Sequence, residues 1–461
     1  MKEIPKALII DSLFSIKFMK SNLIVQMMKK NKLFSLLIFS ILLSIIYNTN
    51  YSSYALDNSD HISGNLPIIN AQYNATSPTD YFNETIYPRY ALATRPIGMI
   101  KYPNKVNPSI VTYGKEIKLI VSGSSETTNW NFTLIDDNIS LSLDIISSDY
   151  VENKWHFTTL PEIERQGLYD LQLNCSTGDD YQTHAVQILE EQQYPFTFVH
   201  ISDSHFPAYY EDFNTTSINL ETIEDIKAVD PDFIIHTGDL IQGPTMYFLN
   251  PETGKQMSSE MQYKLSLWAL DLFDKPVFFI YGNHEFIASS LIPDDPKTQY
   301  YKYFGDVIYQ NFSYLDWSFV GYGAEWPGLS QTDYDAVFNI LTQNSDGATV
   351  LYYHYDFAGH ATNLLKKFPI ELALSGHIHH EELYMQKNTL YHVQAPLFEH
   401  AFTLFTILNE TSLDVDAQIF NFELVPYVPP TPIETTTTPY AFGSLLIIIF
   451  SVMVYYYKRK Q

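Results

Sequence analysis

Short apolar runs alternate with polar positions between about residue 96 and residue 188. These runs read EIKLIVSG, NWNFTLID, KWHFTTL, YDLQLNC and HAVQIL, and Gly, Asn and Asp separate them. A period of two that is interrupted by turn residues at this spacing is typical of short strands in an all-β fold. We therefore predict a β-sandwich domain at residues 96–190.

The pattern changes after Gln192. Six apolar runs, FTFVHIS, DFIIHTG, PVFFIYG, SFVGYG, TVLYYH and IELALSG, now alternate with segments of helical periodicity. The helical segments are predicted near residues 217–228, 261–273, 332–341 and 361–368. Strands that alternate with helices indicate an α/β domain whose functional residues stand on the loops after the strands. We place this domain at residues 194–425.

The two ends of the chain carry long apolar segments. KKNKLFSLLIFSILLSII is typical of a signal-peptide core, so residues 1–55 are predicted as a signal region with an over-long leading segment. YAFGSLLIIIFSVMVYYY at residues 440–457 is uncharged and is followed by KRKQ, which predicts one membrane span and a tail at 458–461. Residues 426–439 read as a Thr/Pro-rich stalk.

These segments predict a protein on the extracellular face of the cell membrane, held by a single C-terminal anchor. Sequons for N-glycosylation agree with that location. They begin at Asn74, Asn83, Asn131, Asn138, Asn174, Asn214, Asn311 and Asn409.

Charge and cysteine content narrow the picture further. The net charge is −25; seven of the 27 basic residues precede Leu33, and three follow Tyr457. Only Glu3 and Asp11 are acidic in those terminal segments, so the chain between them carries 17 basic and 50 acidic side chains. Such a surface repels polyanions, and tight nucleic-acid binding is not expected. Cys175 is the single cysteine, so no intrachain disulfide can form.

Polar side chains follow five of the predicted strands, at the point where each strand ends. They are Asp203 and His205 in ISDSHF, Asp239 in HTGDLIQG, Asn283, His284 and Glu285 in YGNHEF, His354 in YYHYDF, and His377 and His379 in SGHIHH. Because strand ends lie side by side in an α/β sheet, we expect these side chains to converge. Two carboxylates, four imidazoles and one amide oxygen suit two divalent metal ions that share one carboxylate.

Glycines precede three of these positions directly. Gly238, Gly282 and Gly376 stand where the chain must turn sharply off a strand and bring its backbone close to the predicted metals. Other histidines are open to two interpretations. His200 and His236 are expected in the core or next to the ligands, whereas His392 and His380 are expected to be either structural or close to a bound phosphate.

The ordered motifs D-x-H, G-D, G-N-H-E, H and G-H-x-H resemble the calcineurin-like metallophosphoesterase superfamily over about residues 196–422. The resemblance implies a four-layer α/β/β/α sandwich. It implies one metal on Asp203, His205 and His379, a second on Asn283, His354 and His377, and Asp239 as the bridge. It also implies that a bridging hydroxide attacks phosphorus and that His284 protonates the leaving oxygen or steadies the transition state. Glu285 is expected to orient rather than ligate.

Departures from related families narrow the class that the resemblance implies. Purple acid phosphatases have glycine where His205 stands and a metal-bound tyrosine where Gln242 stands, and protein Ser/Thr phosphatases place an arginine after the G-D motif. Secreted 5′-nucleotidases append a large C-terminal substrate domain. The remaining group is the DxH-type phosphoesterases, which use Mn, Fe or Zn. In the β region, Tyr169 in RQGLYDLQL resembles the tyrosine corner of immunoglobulin-like domains.

The resulting expectation is a cell-surface metallophosphoesterase that acts on a small phosphate ester, as a phosphatase or a phosphodiesterase. One alternative is an envelope adhesion or scaffold protein whose metal site is not catalytic. A second alternative keeps the enzyme and makes its substrate a lipid head group or a polymer phosphodiester.

Overall fold

The computed structural model describes residues 89–421, except for 137–138, 163–164, 207–208, 211–212, 244–257, 288–293, 306–307, 324–328, 345–346, 356–358 and 410–414. The described residues all fall within one compact unit of the chain. The predicted signal region, stalk and anchor lie outside the described residues. Within the part that is described, no helix is long and apolar enough to cross a membrane.

The N-terminal part of the described chain is a single eight-stranded sheet, preceded by a short helix at Tyr90–Ala93 (α1). Its strands are Ile100–Tyr102 (β1), Ser109–Thr112 (β2), Ile117–Ser122 (β3), Asn131–Asp136 (β4), Ile139–Val151 (β5), Lys154–Pro161 (β6), Gly167–Cys175 (β7) and Gly178–Leu189 (β8). The order is β1-β3-β6-β5-β4-β7-β8-β2, and only β2 and β8 pair in parallel. Alternate residues such as Phe132, Leu134 and Leu171 fill its core.

The predicted strands are confirmed here, but hydrogen bonds join them into one continuous sheet. Tyr169 makes the contact expected of a tyrosine corner, since its hydroxyl donates to the carbonyl of Arg165 at 3.0 Å. The immunoglobulin-like assignment of this sheet stays a prediction.

The second part of the chain contains two further large sheets. The five-stranded sheet has the order β13-β12-β9-β20-β21, from Phe196–Ile201 (β9), Phe233–His236 (β12), Val277–Phe279 (β13), Ala401–Ile407 (β20) and Val415–Asn421 (β21). The six-stranded sheet has the order β14-β15-β16-β17-β19-β18, from Tyr309–Tyr314 (β14), Trp317–Tyr322 (β15), Ala348–Tyr353 (β16), Leu372–Ser375 (β17), Glu382–Gln386 (β18) and Thr389–Val393 (β19). A small hairpin pairs Tyr209–Tyr210 (β10) with Phe213–Asn214 (β11).

Helices connect the parallel strands. They are Thr215–Val229 (α2), Ser259–Asp271 (α3), Pro296–Phe304 (α4), Gln331–Gln343 (α5) and His360–Lys367 (α6), with a 3₁₀ turn at Leu397–Glu399. Ser258 caps α3 by accepting from the Met261 amide, and Ser330 caps α5 by accepting from Asp333. Four of these helices match the predicted segments to within two residues.

Burial along the strands explains the layers. In β9, Phe196 and Phe198 pack between the two sheets, whereas Val199 and Ile201 pack against α2, α3 and α4. Helices α5 and α6 contribute Val337 and other apolar residues to the core of the six-stranded sheet. The order is helix, sheet, sheet, helix, so both central sheets are buried on two faces and their strands read as continuous apolar runs.

An ionic joint between a half-buried arginine and two buried carboxylates connects the eight-stranded sheet with the α/β part. The Arg89 guanidinium donates to both carboxylate oxygens of Asp170 on β7, at 3.0 and 2.9 Å, and to Asp271 at the end of α3, at 3.1 Å. Lys105 is buried nearby and donates to the carbonyls of Ala93 and Arg95 at 2.8 and 2.6 Å. These contacts fix the two parts to each other.

Candidate metal centre

The polar residues that the sequence analysis singled out lie at the carboxyl ends of strands from both central sheets. The five-stranded sheet supplies Asp203 and His205 after β9, Asp239 after β12 and Asn283 after β13. The six-stranded sheet supplies the remaining three, His354 after β16 and His377 and His379 after β17. The candidate centre therefore lies where the ends of the two sheets face each other.

One group of side chains surrounds Asp203. Its Oδ1 atom lies 3.3 Å from His379 Nε2 and 3.7 Å from His205 Nε2, and the two imidazole nitrogens are 3.1 Å apart. The Asp203 Oδ1 atom is buried and accepts no hydrogen bond. A cation placed between these three atoms satisfies all of them, so the donor set fits a metal ion of the Mn, Fe or Zn type.

A second group surrounds Asn283. Its Oδ1 atom lies 2.8 Å from His377 Nδ1 and 3.1 Å from His354 Nε2, and those two nitrogens are 3.3 Å apart. His354 Nδ1–H donates to the carbonyl of Thr237 at 2.8 Å, which directs the Nε2 atom at the group. These atoms provide a second set of amide and imidazole donors.

Asp239 stands between the two groups. Its Oδ2 atom lies 3.1 Å from His354 Nε2 and 4.0 Å from His205 Nε2, while Oδ1 accepts the backbone N–H of His284 at 2.8 Å. Two of the three candidate metal clusters among the described residues contain this carboxylate, one with His354 and His377 and the other with His205 and His284, and the third is Asp203 with His205 and His379. Asp239 therefore lies beside donor atoms of both groups.

Electrostatics keep these carboxylates ionised and one of the imidazoles neutral. Burial alone raises the pKa of Asp203, but the nearby imidazoles of His205 and His379 hold it well below its usual range. The pKa of Asp239 is also lowered, against the effect of burial, by His354. Burial lowers the pKa of His205 to about 4. Ionised carboxylates and a neutral imidazole are the forms that bind metal.

The backbone at these positions is strained. Five of the seven predicted ligands have left-handed φ angles: Asp203 (51°), His205 (47°), Asp239 (54°), His377 (77°) and His379 (52°). Such residues persist where the surroundings fix them, and they cluster at functional sites. A side chain on Gly376 would collide with the Ser202 hydroxyl and with Asp203 Oδ2, so only a glycine lets this loop lie so close to a predicted ligand.

Glu285 is fully buried and does not join either group. Its carboxylate accepts four backbone N–H groups, those of Asp239 (3.1 Å), Leu240 (2.7 Å), Ile241 (3.2 Å) and Gly282 (2.7 Å). It therefore ties the loop after β12 to the loop after β13, in the orienting role that the sequence predicts for it.

His284 lies at the mouth of the centre. Its ring Nδ1–H donates to the carbonyl of Gln242 at 2.7 Å, and its Nε2 lies 3.8 Å from Asp239 Oδ2. The ring packs edge-on against His205, with centroids 4.6 Å apart, and the side chain is 18% exposed. The Nε2 atom is thus held beside the shared carboxylate and within reach of solvent.

Two aromatic residues that the sequence analysis did not assign also contact predicted ligands. Phe398 packs against His205 and His379, with centroids 5.6 and 5.5 Å away, and Tyr355 lies 4.2 Å from the His377 ring. Tyr355 directly follows the predicted ligand His354 in the sequence, so its place near the centre could have been predicted from that adjacency. Phe398 stands in a loop after a returning strand, where nothing in the pattern marks it.

The remaining histidines take different places. His380 is 68% exposed with its Nε2 atom 3.9 Å from Glu382, so a phosphate contact by this residue stays a prediction. His392 does not line the centre: it is fully buried and bonded to Glu381 and His200. Of the two interpretations given for His392, the structural one is therefore correct. His200 and His236 are fully buried, as predicted.

The fold and the site together define a class, an α/β/β/α domain with nitrogen and oxygen donors for divalent metals between its two sheets. The sequence model of the family described as Calcineurin-like phosphoesterase matches residues 196–381. The chain therefore carries a calcineurin-like phosphoesterase domain over those residues. No curated protein sequence matches the chain.

Several solved structures are similar to this chain at low sequence identity. A putative 5′-nucleotidase from Staphylococcus aureus is 17% identical, with a TM-score of 0.34 over 54% of this chain and 57% of its own. A predicted phosphoesterase from Streptococcus pneumoniae is 14% identical, with a TM-score of 0.22 over 50% of this chain and 99% of its own. Vacuolar protein sorting 29 from Cryptosporidium parvum is 12% identical, with a TM-score of 0.25 over 50% of this chain and all of its own.

Proposed function

We propose that this protein is a metal-dependent phosphoester hydrolase with a dinuclear centre. The observation that carries the proposal is the position of Asp239, whose Oδ2 atom lies within 4.0 Å of imidazole nitrogens from both groups. A carboxylate in this position supports two adjacent cations, the arrangement used for in-line displacement at phosphorus.

The seven side chains divide into two ligand sets that share one member. Asp203, His205 and His379 would hold one ion, Asn283, His354 and His377 would hold the other, and Asp239 would serve both. When bound, the two ions supply positive charge for the phosphoryl oxygens and lower the pKa of a water nucleophile. The protein itself contributes the fixed orientation of its ligands, through the Thr237 carbonyl on His354 and the four amides on Glu285.

In the same proposal His284 handles the proton of the leaving group. The Gln242 carbonyl holds its Nδ1–H, so a proton given to the leaving oxygen comes from Nε2. The Nε2 atom lies 3.8 Å from Asp239 Oδ2, so it would be near a phosphate bound by metals that Asp239 would hold.

The proposed location is the extracellular face of the cell membrane. The apolar segments and sequons of the sequence support it, and three sequon asparagines, Asn131, Asn174 and Asn311, are exposed. Treatment of the protein with peptide N-glycosidase should lower its apparent mass, and an unchanged mass on electrophoresis would contradict the glycosylated, outward-facing arrangement.

The test of the hydrolytic function uses the full chain in detergent. The protein is stripped with a chelator, reloaded separately with Mn²⁺, Zn²⁺ or Fe²⁺, and assayed with a nitrophenyl phosphate monoester and the corresponding bis-ester. Turnover that depends on the metal supports the proposal, and the preferred ester separates a phosphatase from a phosphodiesterase. A folded, metal-loaded protein with no turnover on either ester would contradict it and favour the scaffold alternative.

A further inference from the structure

A chain of buried polar side chains crosses the space between the two central sheets, next to the candidate metal centre. It consists of Glu381, His392, His200 and Thr237, and we refer to it as the polar relay. Glu381 stands two residues after His379, and Thr237 stands two residues before Asp239. The relay thus begins beside one metal-binding loop and ends beside another.

Each step of the relay is a short hydrogen bond. His392 Nε2 lies 2.6 Å from Glu381 Oε1, His392 Nδ1 lies 2.7 Å from His200 Nδ1, and His200 Nε2 lies 2.9 Å from the Thr237 hydroxyl. His392, His200 and Thr237 are fully buried, and the Glu381 side chain is 15% exposed.

One consistent set of donors and acceptors runs along the relay. With the carboxylate of Glu381 accepting, His392 carries its hydrogen on Nε2 and accepts on Nδ1. His200 then donates from Nδ1 and accepts the Thr237 hydroxyl on Nε2. Burial, with His392 and His236 nearby, holds the pKa of His200 well below its ordinary value, which agrees with a neutral ring. Bonds aligned in this way strengthen one another.

Both ends of the relay hold parts of the metal centre. At one end, Glu381 also accepts the Ala395 amide at 2.9 Å and the Gln394 side chain at 3.3 Å, which ties the loop that carries His377 and His379 to the end of β19. At the other end, the Thr237 carbonyl accepts His354 Nδ1–H at 2.8 Å.

The two sheets need such a connection because they contribute separate halves of the ligand set. His200 belongs to β9 of the five-stranded sheet and His392 belongs to β19 of the six-stranded sheet. The rest of the interface between the sheets is largely apolar, with residues such as Phe198 and Phe405. Apolar packing is non-directional, whereas hydrogen bonds fix position and orientation.

We infer that His392 and His200 are positioning residues. They fix the position of the two sheets relative to each other at the metal centre, and thereby set the affinity of the centre for metal. This inference rests on the proposed dinuclear function. Partners one step removed from metal ligands commonly change metal affinity by about 10- to 100-fold when they are removed.

The test compares Mn²⁺ binding by apo full-length protein across a set of variants, by calorimetry and by electron paramagnetic resonance. His392→Leu breaks the relay, and we expect its Mn²⁺ affinity to fall by about 10-fold or more. His392→Gln offers a carboxamide that donates to Glu381 and accepts from His200, so it should restore most of the affinity.

A double variant separates positioning from stability. His392→Leu leaves the His200 Nδ1–H without an acceptor and lowers Tm. In His200→Leu/His392→Leu both partners are apolar, so Tm should recover while Mn²⁺ affinity stays low. Thr237→Val replaces the hydroxyl of the relay with a methyl group. If the leucine variants do not fold, an equal fall in the Mn²⁺ affinity of Thr237→Val supports the positioning role.

Tyr314→Phe is the matched control. The Tyr314 hydroxyl donates to Asp232 at 3.1 Å, and this bond also joins the two central sheets, but at the opposite end of the strands. The control should lower Tm and leave Mn²⁺ binding unchanged. Unchanged affinity in His392→Leu or Thr237→Val, or an equal loss in Tyr314→Phe, would overturn the inference. A wild type that binds fewer than two Mn²⁺ ions would instead refute the proposed dinuclear function.

Discussion

At the scale of single residues, the chemistry of the centre follows from the sequence but its geometry does not. The order of Asp, His and Asn at strand ends is enough to select the seven predicted ligands. Their left-handed backbone could not be predicted, because an Asp or His adopts positive φ only where packing around it compensates the strain. Glycine is the exception, since Gly238 and Gly376 mark close approaches of the backbone through their residue type alone.

Gly238→Ala tests that close approach. Gly238 has φ of 105°, and a Cβ there would lie 2.6 Å from the backbone nitrogen of Gly282 and 2.9 Å from His354 Nδ1. We expect the free energy of unfolding to fall by roughly 1–3 kcal/mol and Mn²⁺ binding to weaken. Gly359→Ala is the control, because its φ is also positive, at 70°, but nothing lies within 4 Å. Urea unfolding and Mn²⁺ titration of both variants provide the comparison. Equal Mn²⁺ affinity of Gly238→Ala and Gly359→Ala would show that a Cβ at Gly238 does not disturb the centre.

Asp239→Asn tests the shared carboxylate. The amide is uncharged and has one oxygen where two are needed, so we expect the metal content to fall from two ions to one. Hydrolysis of the preferred nitrophenyl ester should fall by about 100-fold or more, as for the loss of other preorganised electrostatic groups. Elemental analysis of the purified variant, with His380→Ala as an exposed neighbouring control, measures the first effect. Two tightly bound ions in Asp239→Asn would contradict the bridging role.

At the scale of helices and strands, the alternation of apolar runs with helical segments predicted most of the α/β core, but helix α4 and strands β5, β14, β18, β20 and β21 were not predicted. The four predicted helices are present because each places an apolar stripe on a sheet. The 13-residue strand β5 was missed, because its exposed half contains neighbouring apolar residues, Ile145 and Ile146, and does not alternate. Edge strand β14 alternates in burial but buries Gln310 and exposes Tyr309, so its hydropathy does not follow its burial. Edge strand β18 is exposed along its whole length.

Glu285→Gln tests the connection between two loops of the centre. The glutamine side chain keeps one acceptor oxygen, but its NH₂ group replaces the second oxygen. Backbone N–H groups that now donate to that second oxygen lose their acceptor. Leaving buried N–H groups unpaired costs about 1–3 kcal/mol, so the free energy of unfolding should fall by that amount. Denaturant melts measure it, with Glu126→Gln at an exposed site as the control. Equal stability of the two variants would show that the four amides have other acceptors.

At the scale of the whole molecule, the sequence separated the β region from the α/β domain and could not show how they join. The joint depends on Arg89, which is 81 positions from Asp170 and 182 positions from Asp271 in the sequence. The polar relay has the same character, because His200 and His392 are separated by 192 residues and belong to different sheets. Local patterns carry no information about contacts of this range.

Lys105 makes the stability of the joint dependent on pH. Burial lowers its pKa to about 7, against the opposite effect of Asp271. The unfolded chain therefore binds more protons than the folded one between about pH 7 and pH 10, and Lys105 makes the folded state more stable as pH rises through that window. The slope approaches about 1.4 kcal/mol per pH unit.

Unfolding curves at a series of pH values test this effect in Lys105→Met. The wild type should gain stability relative to the variant between pH 7 and pH 9, and the difference should be flat below pH 6. Lys115→Met, at an exposed position, is the control and should follow the wild type. A wild type that parallels Lys105→Met at every pH would show that the Lys105 pKa is ordinary.

The central claim is that two metal ions, joined by Asp239, are needed for hydrolysis. The most direct measurement is the rate at which apo full-length protein hydrolyses the nitrophenyl ester that it prefers, mono-ester or bis-ester, as Mn²⁺ is added in known equivalents. We expect little activity with the first equivalent and full activity with the second. Activity that is complete after one equivalent, or absent after two are bound, would contradict it.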